Sequence, residues 1–183
     1  LISRNVVING QSVSVPNLPV EGAIDIKSLS VNGSSGLTQT KVIAPDGMPS
    51  DFFGNSVSIS KDLAVVGAPG HQVGTNDDAG AAYVFARNGA QWQFQQKLIL
   101  PTSDLQTSAQ FGFSVAISGE TILVGAPGHD NGANSDQGAA YVFVRNAGVW
   151  TLQQRLRQSD GQSGDNFGWS VAVDRDLDRK SVV

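Results

Sequence analysis

The chain has 183 residues, a formal net charge of −4 at pH 7 and no cysteine. The lack of cysteine excludes disulfides, thiol catalysis and thiolate metal sites. An acidic balance without a basic patch argues against a nucleic-acid partner. No apolar run reaches the length of about 20 residues that a membrane-spanning helix needs, so no membrane span is expected.

Residues 1–36 are predicted to form an N-terminal segment of β-hairpins whose role the sequence leaves open. Residues 6–8 and 12–15 flank Asn9-Gly10, a dipeptide that accepts the positive φ of a tight hairpin turn. Residues 23–26 and 29–31 suggest a second strand pair, and a Gly/Ser-rich linker follows them.

The rest of the chain repeats itself. Phe53-Gly54 returns 58 residues later as Phe111-Gly112, and Phe167-Gly168 opens a third copy. Three further anchors keep the same interval: Gly-Ala-Pro-Gly-His at 67–71 and 125–129, Gly-Ala-Ala-Tyr-Val-Phe at 80–85 and 138–143, and Trp92 and Trp150. A fixed period of this length indicates a propeller, a solenoid or another array of repeated units.

Each copy is predicted to contain four strands and no helix. The strands alternate polar and apolar residues or form short β-branched runs, and Gly, Pro and Asn separate them. We place them at 56–60, 63–66, 81–87 and 92–98 in one copy, and at 114–118, 122–124, 139–145 and 150–156 in the next. Four antiparallel strands in a repeated unit are typical of a β-propeller blade, so the predicted class is all-β.

The order Phe-Gly, strand, Val-Gly-Ala-Pro, Ala-Tyr-Val-Phe resembles the FG-GAP repeat, the blade unit of the integrin α-subunit propeller. The repeat also occurs in many bacterial secreted proteins. The resemblance covers about residues 37–183 and implies a partial, integrin-α-like propeller. It also implies that the Phe-Gly pairs are structural, with each Phe packed between blades: Phe53, Gly54, Phe111, Gly112, Phe167 and Gly168. Stacked hairpins or a β-solenoid are the alternatives.

The repeat divides the chain into five parts. Residues 37–52 resemble the outer strand of a partial blade and its connection, because Lys41 aligns with Lys97. Residues 53–110 and 111–166 are predicted blades, and 167–183 begin another. A ring of about seven such units would need roughly 400 residues. We therefore expect a piece of a longer protein or a structure that neighbouring chains complete through open blade edges.

Two long polar loops are the predicted recognition surface, since the resemblance places loops between strands two and three on one face with the blade connections. Amides, carboxylates and imidazoles on a rigid scaffold suit sugar hydroxyls, a cation or a protein, although exposed loops are polar in any case. The candidate ligand-binding residues are His71, Asn76, Asp77, Asp78, His129, Asp130, Asn131, Asn134 and Asp136. The connections add Asp46, Asp51, Asp104, Asp160 and Asp165.

A single carboxylate string is the candidate calcium site. Asp174, Asp176 and Asp178 alternate as in the first half of a calcium-binding loop. The resemblance implies the same, because integrin-type propellers carry calcium loops between the first and second strands. Arg179 stands where such a loop needs glycine, so a solvated charge cluster is the alternative reading.

No catalytic motif is present, and an enzyme is not expected. The resemblance implies a non-enzymatic binding or adhesion module, extracellular or at the cell surface, whose ligand is a protein or a glycan. The alternative is a structural subunit of a self-assembling fibre or oligomer, in which neighbouring chains complete the open blades.

Overall fold

A computed structural model describes residues 5–8, 11–14, 24–28 and 38–174. The all-β prediction is confirmed, because no helix occurs in this part of the chain, and hence none that could cross a membrane. The strands found there are β1 Asn5–Ile8, β2 Gln11–Ser14, β3 Ile24–Ser28, β4 Thr38–Val42, β5 Val57–Ser60, β6 Leu63–Ala68, β7 Ala81–Asn88, β8 Gln91–Leu98, β9 Ser114–Ser118, β10 Thr121–Ala126, β11 Ala139–Asn146 and β12 Val149–Leu156.

Two four-stranded antiparallel sheets form the centre of the described structure, as expected for blades. The first has the order β5-β6-β7-β8, and β9-β10-β11-β12 repeats it. The two-residue turns Lys61-Asp62 and Gly119-Glu120 join the first two strands of each sheet. Lys61 and Gly119 have φ values of 55° and 57°, and such positive values match the twist of tight hairpins. We call these sheets the first and second blade.

The N-terminal strands pair in two short sheets, and one pairing differs from the prediction. β1 pairs with β2 over four residue pairs, as the sequence indicates, and residues 9–10 lie outside the described residues. β3 pairs with β4 over five residue pairs, whereas the sequence suggested residues 29–31 as its partner. Residues 29–31 lie outside the described residues. A five-residue ladder satisfies more backbone groups than a three-residue segment can offer.

The β3–β4 sheet contacts the outer hairpin of the first blade. Thr40 Oγ1 donates to the carbonyl of Ala90, in the turn between β7 and β8. One blade further on, Gln96 Nε2 in β8 donates to the carbonyl of Trp150 in β12. β4 thus contacts the first blade, as β8 contacts the second. The assignment of residues 37–52 to the outer strand of a partial blade and its connection stays a prediction.

Glycines allow the backbones of the two blades to approach closely. A Cβ on Gly67 in β6 would lie 1.9 Å from the carbonyl oxygen of Gly112. Gly112 itself has φ 92° and donates its N–H to the carbonyl of Gly125 at 3.0 Å. The Gly of Gly-Ala-Pro in one blade therefore makes room for the Phe-Gly turn of the next.

The phenylalanine of this turn belongs to the core between the blades. Phe111 is fully buried in a cluster that includes Val65 and Val84 of the first blade and Ile122 of the second. Its ring packs edge-on against Tyr141, with centroids 5.6 Å apart. Phe53 is also buried, whereas Phe167 is half-buried.

Serine hydroxyls from the first blade cap the inner edge of the second. Ser56 Oγ accepts the N–H of Val115 at 3.0 Å, Ser58 Oγ that of Ile117 at 3.1 Å, and Ser60 Oγ that of Gly119 at 3.2 Å. The N–H groups of Val115 and Ile117 lie on the side of β9 that faces away from β10, and Gly119 follows in the turn. The serines in and just before β5 thus satisfy backbone donors that close packing would otherwise leave without partners.

Candidate functional site

The two polar loops lie between the second and third strands, beside the connections that lead to the next blade. The loop 70–79 is hydrogen-bonded to the connection between the first and second blades. The N–H groups of Ser108 and Gln110 in this connection donate to the carbonyls of Asp77 and Asp78 in the loop. In the second loop Asp136 accepts in the same way from Asn166. Each loop is thereby anchored to the connection that follows its own blade.

The predicted ligand-binding residues separate into three groups by exposure. Four carboxylates are exposed: Asp77, Asp78, Asp130 and Asp136. Three amides are half-buried and bond to backbone carbonyls: Asn76 to Val73, Asn131 to Gly138 and Asn134 to Gly161. Both histidines are buried, at 5% exposure for His71 and 2% for His129. The imidazoles therefore lie beneath the loop surface.

Buried His71 is the centre of a polar cluster in the first blade. Its Nδ1 donates to the Asp51 carboxylate at 2.8 Å, and its Nε2 lies 3.3 Å from Lys97 Nζ. Lys97 Nζ also contacts Asp46 Oδ2 at 2.6 Å, and the Tyr83 hydroxyl donates to Asp46 Oδ1 at 2.9 Å. Every ionisable group of this first-blade cluster, defined as Asp46, Asp51, His71, Tyr83 and Lys97, has a partner.

The second blade repeats this cluster with two replacements, arginine for Lys97 and alanine for Asp51. Asp104, His129, Tyr141 and Arg155 occupy the equivalent positions. The Tyr141 hydroxyl donates to Asp104 Oδ2 at 3.1 Å, and Arg155 Nη1 contacts Asp104 Oδ1 at 3.0 Å. The equivalent of Asp51 is Ala109, which has no carboxylate.

His129 therefore lacks the carboxylate partner that His71 has. Its two ring nitrogens are buried and make no side-chain hydrogen bond within the described residues, and the backbone carbonyls of residues 104 and 130 are their polar neighbours. Sequence analysis selected His129 for its loop position, but the alignment of Ala109 with Asp51 is the signal that marks it as different from His71.

Burial and neighbouring charges shift the pKa values of His129 and Asp104 in the second blade. Burial lowers the pKa of His129, and the guanidinium of Arg155 lowers it further. The Asp104 carboxylate and the nearby backbone carbonyls of residues 104 and 130 act in the opposite direction without outweighing burial. Burial works to raise the pKa of Asp104 itself, but bonds from Arg155 and Tyr141 hold that pKa below its usual value.

The free energy of unfolding should therefore depend on pH through the protonation of His129. A histidine whose pKa is lower in the folded state binds its proton more readily when unfolded, so stability falls as pH decreases through its ordinary value of 6.5. The slope contributed by one proton is at most about 1.4 kcal/mol per pH unit. The lowered pKa of Asp104 acts in a separate window, since its stabilisation is lost only as pH falls below about 4.

The measurement is chemical denaturation of the parent chain and of His129→Gln between pH 5 and pH 7.5. We expect the stability of the parent chain to decrease more steeply toward pH 5 than that of the variant. Parallel curves would show that the folded chain binds a proton at His129 as easily as the unfolded chain does.

A pocket of about 390 Å³ opens beside His129. Its walls combine charged, amide and hydroxyl groups with a single large apolar side chain: Ser103, Asp104, Leu105, Gln106, His129, Asp130, Asn131, Gly132, Arg155 and Arg157. Gln106 fixes one wall by bonding both the N–H and the carbonyl of Asp130. A volume of this size is in the range of small-molecule sites in proteins.

The predicted calcium site is only partly within the described residues. Asp174 is described and exposed, whereas Asp176 and Asp178 lie outside. Within the described ranges, no group of three or more histidine or carboxylate side chains is arranged to hold a metal ion. The calcium site stays a prediction.

Comparison with known proteins agrees with the repeat found in the sequence. The model of a family described as FG-GAP repeat matches three stretches, residues 37–85, 92–143 and 150–177. Together these stretches cover more than half of the chain. The comparison with curated proteins found no match.

Proposed function

Because the chain belongs to the FG-GAP repeat family, we propose that it is a non-enzymatic binding module of an extracellular or cell-surface protein. Its ligand is a protein or a glycan, and adhesion is the role that such a module would serve. The ligand binds on the loop face, which we define as residues 70–79 and 128–137 with the adjoining blade connections.

One observation carries this proposal. The loop face contains a preformed pocket of about 390 Å³ whose walls present charged, amide and hydroxyl groups. Such groups can form hydrogen bonds with the polar groups of a ligand. Rigid sheets beneath the loops reduce the entropy that binding must overcome.

A binding role fits the cluster chemistry better than catalysis. His71 bonds to the Asp51 carboxylate like a catalytic base, but both side chains are buried and their neighbours are a lysine, a tyrosine and a second aspartate. His129 has a lowered pKa, and its carboxylate neighbour Asp104 is paired with Arg155. No hydroxyl or thiol nucleophile bonds to either imidazole in the described residues, apart from the phenol of Tyr83 near His71.

The test is an array of glycans and surface proteins probed with matched variants. Replacing the pocket residues Gln106 and Asp130 with alanine should remove binding, while Lys61→Ala on the opposite hairpins should preserve it. Binding that survives the double replacement and disappears with Lys61→Ala would place recognition on the hairpin side.

A second candidate function is self-association, and the exposure of β5 favours it. Val57 and Ile59 are 39% and 48% exposed, whereas their equivalents Val115 and Ile117 are buried against the first blade. The face of β5 therefore presents to solvent the apolar surface that β9 buries. A second copy of this chain could cover it, which would give the structural subunit considered above.

Replacing Val57 and Ile59 with aspartate should then abolish association, because the contact would bury unpaired charges. Val149→Asp is the control, since Val149 is 55% exposed but lies on the outer strand β12. Sedimentation at tens of micromolar should show assemblies for the parent and the control, and monomers for the double variant. A monomeric parent chain would refute this function.

A calcium ion at Asp174, Asp176 and Asp178 is a further part of the proposal. Three carboxylates can supply part of the six to eight oxygen ligands that calcium prefers. Titration calorimetry should show binding to the parent chain and none to Asp176→Ala. Equal heats from both chains would move the ion to another site.

A further inference from the structure

The sequence contains four Asn-Gly pairs, and two of them lie in the described residues. One is Asn88-Gly89, at the turn between β7 and β8, and the other is Asn131-Gly132, in the second polar loop. The pairs at 9–10 and 32–33 are outside the described ranges. Asparagine is among the thermolabile residues, and a following glycine makes it more so, because no Cβ shields the glycine nitrogen from the neighbouring side-chain amide.

The surroundings of Asn88 leave its side chain free to react. Asn88 and Gly89 are both exposed, and the Asn88 amide makes no hydrogen bond within the part of the chain that the structure describes. Apart from the adjacent residues, no heavy atom lies within 4 Å of the position that a Cβ on Gly89 would take. The side-chain carbon of Asn88 can therefore turn toward the Gly89 nitrogen, and water can reach the product.

Asn131 has the same following residue but a fixed side chain. Its Nδ2 donates to the Gly138 carbonyl at 3.0 Å, and its Oδ1 accepts from Arg155 Nη2 at 2.8 Å. The space around Gly132 is as open as that around Gly89, so the difference lies in the asparagine. Both bonds have to break before the side-chain carbon of Asn131 can reach the next nitrogen.

The second blade provides a further comparison at the equivalent turn. Asn88 pairs with Gln91 in the first blade, and Asn146 pairs with Val149 in the second. Asn146 is exposed as well, but Ala147 follows it in place of glycine. The methyl group of Ala147 hinders the approach to its nitrogen. The two turns thus present the same asparagine with and without a shielded neighbour.

From these three environments we propose that Asn88 is a site of spontaneous deamidation. The Gly89 nitrogen bonds to Asn88 Cγ, the side-chain amide leaves as ammonia with the proton that Gly89 loses, and a cyclic succinimide forms. Water then opens either C–N bond of the ring and gives aspartate or isoaspartate. This modification goes beyond the proposed function, because the β7–β8 turn is at the opposite end of β7 from the loop face.

Isoaspartate would alter the hairpin, whereas aspartate would not. Isoaspartate routes the main chain through the former side chain and lengthens it by one carbon, where only Gly89 and Ala90 separate the paired residues Asn88 and Gln91. Such a short turn has to match the twist of its strands, so it tolerates little change in length. The Ala90 carbonyl, which accepts from Thr40 in β4, would move with the turn. Deamidation should therefore weaken the contact between the first blade and the β3–β4 sheet.

The test is peptide mapping by mass spectrometry after incubation of the folded chain at pH 8 and 37 °C. Asn88 should gain the mass of deamidation roughly tenfold faster than Asn131 and Asn146. In urea the bonds of Asn131 are lost, so Asn131 should react about as fast as Asn88 while Asn146 stays slow. Gly89→Ala should make Asn88 as slow as Asn146.

Hydrogen exchange measures the consequence for the hairpin. The aged chain should exchange the amides of residues 88 and 91 faster than the fresh chain. Asn88→Asp is the matched control, because it has the charge of the product with an unaltered main chain, and it should exchange these amides like the fresh chain. Equal exchange in the aged and fresh chains would refute the effect on the hairpin.

Two results would overturn the site itself. One is an Asn88 that stays unmodified in the folded chain while it deamidates in urea. The other is an equal rate at Asn88 and Asn146 in the folded chain, since glycine would then have no influence on the reaction. Both results come from the parent chain, so they do not depend on how well the Gly89→Ala variant folds.

Discussion

Replacing Phe111 with alanine is expected to lower the free energy of unfolding by about 3–5 kcal/mol, as truncations of large buried aromatic residues do. Phe111 has no exposed surface, and it packs edge-on against Tyr141 and Phe143 with centroids 5.6 and 6.0 Å away. Its cluster contains side chains of both blades, so the cavity would weaken the contact between them. Urea denaturation followed by circular dichroism measures the loss.

Phe52→Ala is the matched control for this prediction. Phe52 precedes Phe53 in the first copy, and its ring is 63% exposed. Its replacement should change stability by less than about 1 kcal/mol, because little buried surface is lost. If the two variants were equally stable, Phe111 would not be a core residue and the packing between the blades would be wrong.

Gly67→Ala is expected to cost about 3 kcal/mol, at the upper end for substitutions that force extra atoms into a packed core. The added Cβ would lie 1.9 Å from the carbonyl oxygen of Gly112, which is a backbone atom and cannot rotate away. The blades would have to separate, disturbing the bond from Phe111 N–H to the Ala79 carbonyl. Thermal unfolding of the variant measures this effect.

Gly74→Ala is the matched control for Gly67→Ala, because it adds backbone strain without a steric clash. Gly74 has φ +63°, and no described atom lies within 4 Å of the position that a Cβ would take. Its replacement should cost about 1 kcal/mol, from backbone strain alone. A loss for Gly67→Ala no greater than this would contradict the close approach of the blades.

The sequence predicts the fold well because the information that determines it is local and repeated. Alternating residues such as Ser114–Ser118 specify strands, and Asn88-Gly89 specifies a hairpin turn. The alternation predicted a half-buried strand at 114–118, but β9 is buried on both faces because it also packs against the first blade. The Phe-Gly and Gly-Ala-Pro anchors recur because each joint needs the same glycines at the same backbone contacts. Repetition turns these weak signals into a reliable assignment of blades.

The sequence predicts the site less completely because its partners are distant in the chain. His71 bonds to Asp51, 20 residues before it, and contacts Lys97, 26 residues after it. A polar loop sequence gives no indication that its histidine turns inward to such partners. Lys97 and Tyr83 recur in the second blade as Arg155 and Tyr141, and this recurrence was the signal that could have identified the clusters.

The most direct test of the loop face is to map backbone amide chemical shifts with the tightest ligand from the arrays. The proposal predicts shifts in residues 103–106, 128–137 and 155–157, around the pocket beside His129. Shifts confined to the opposite hairpin turns, at 60–63 and 118–121, would contradict it.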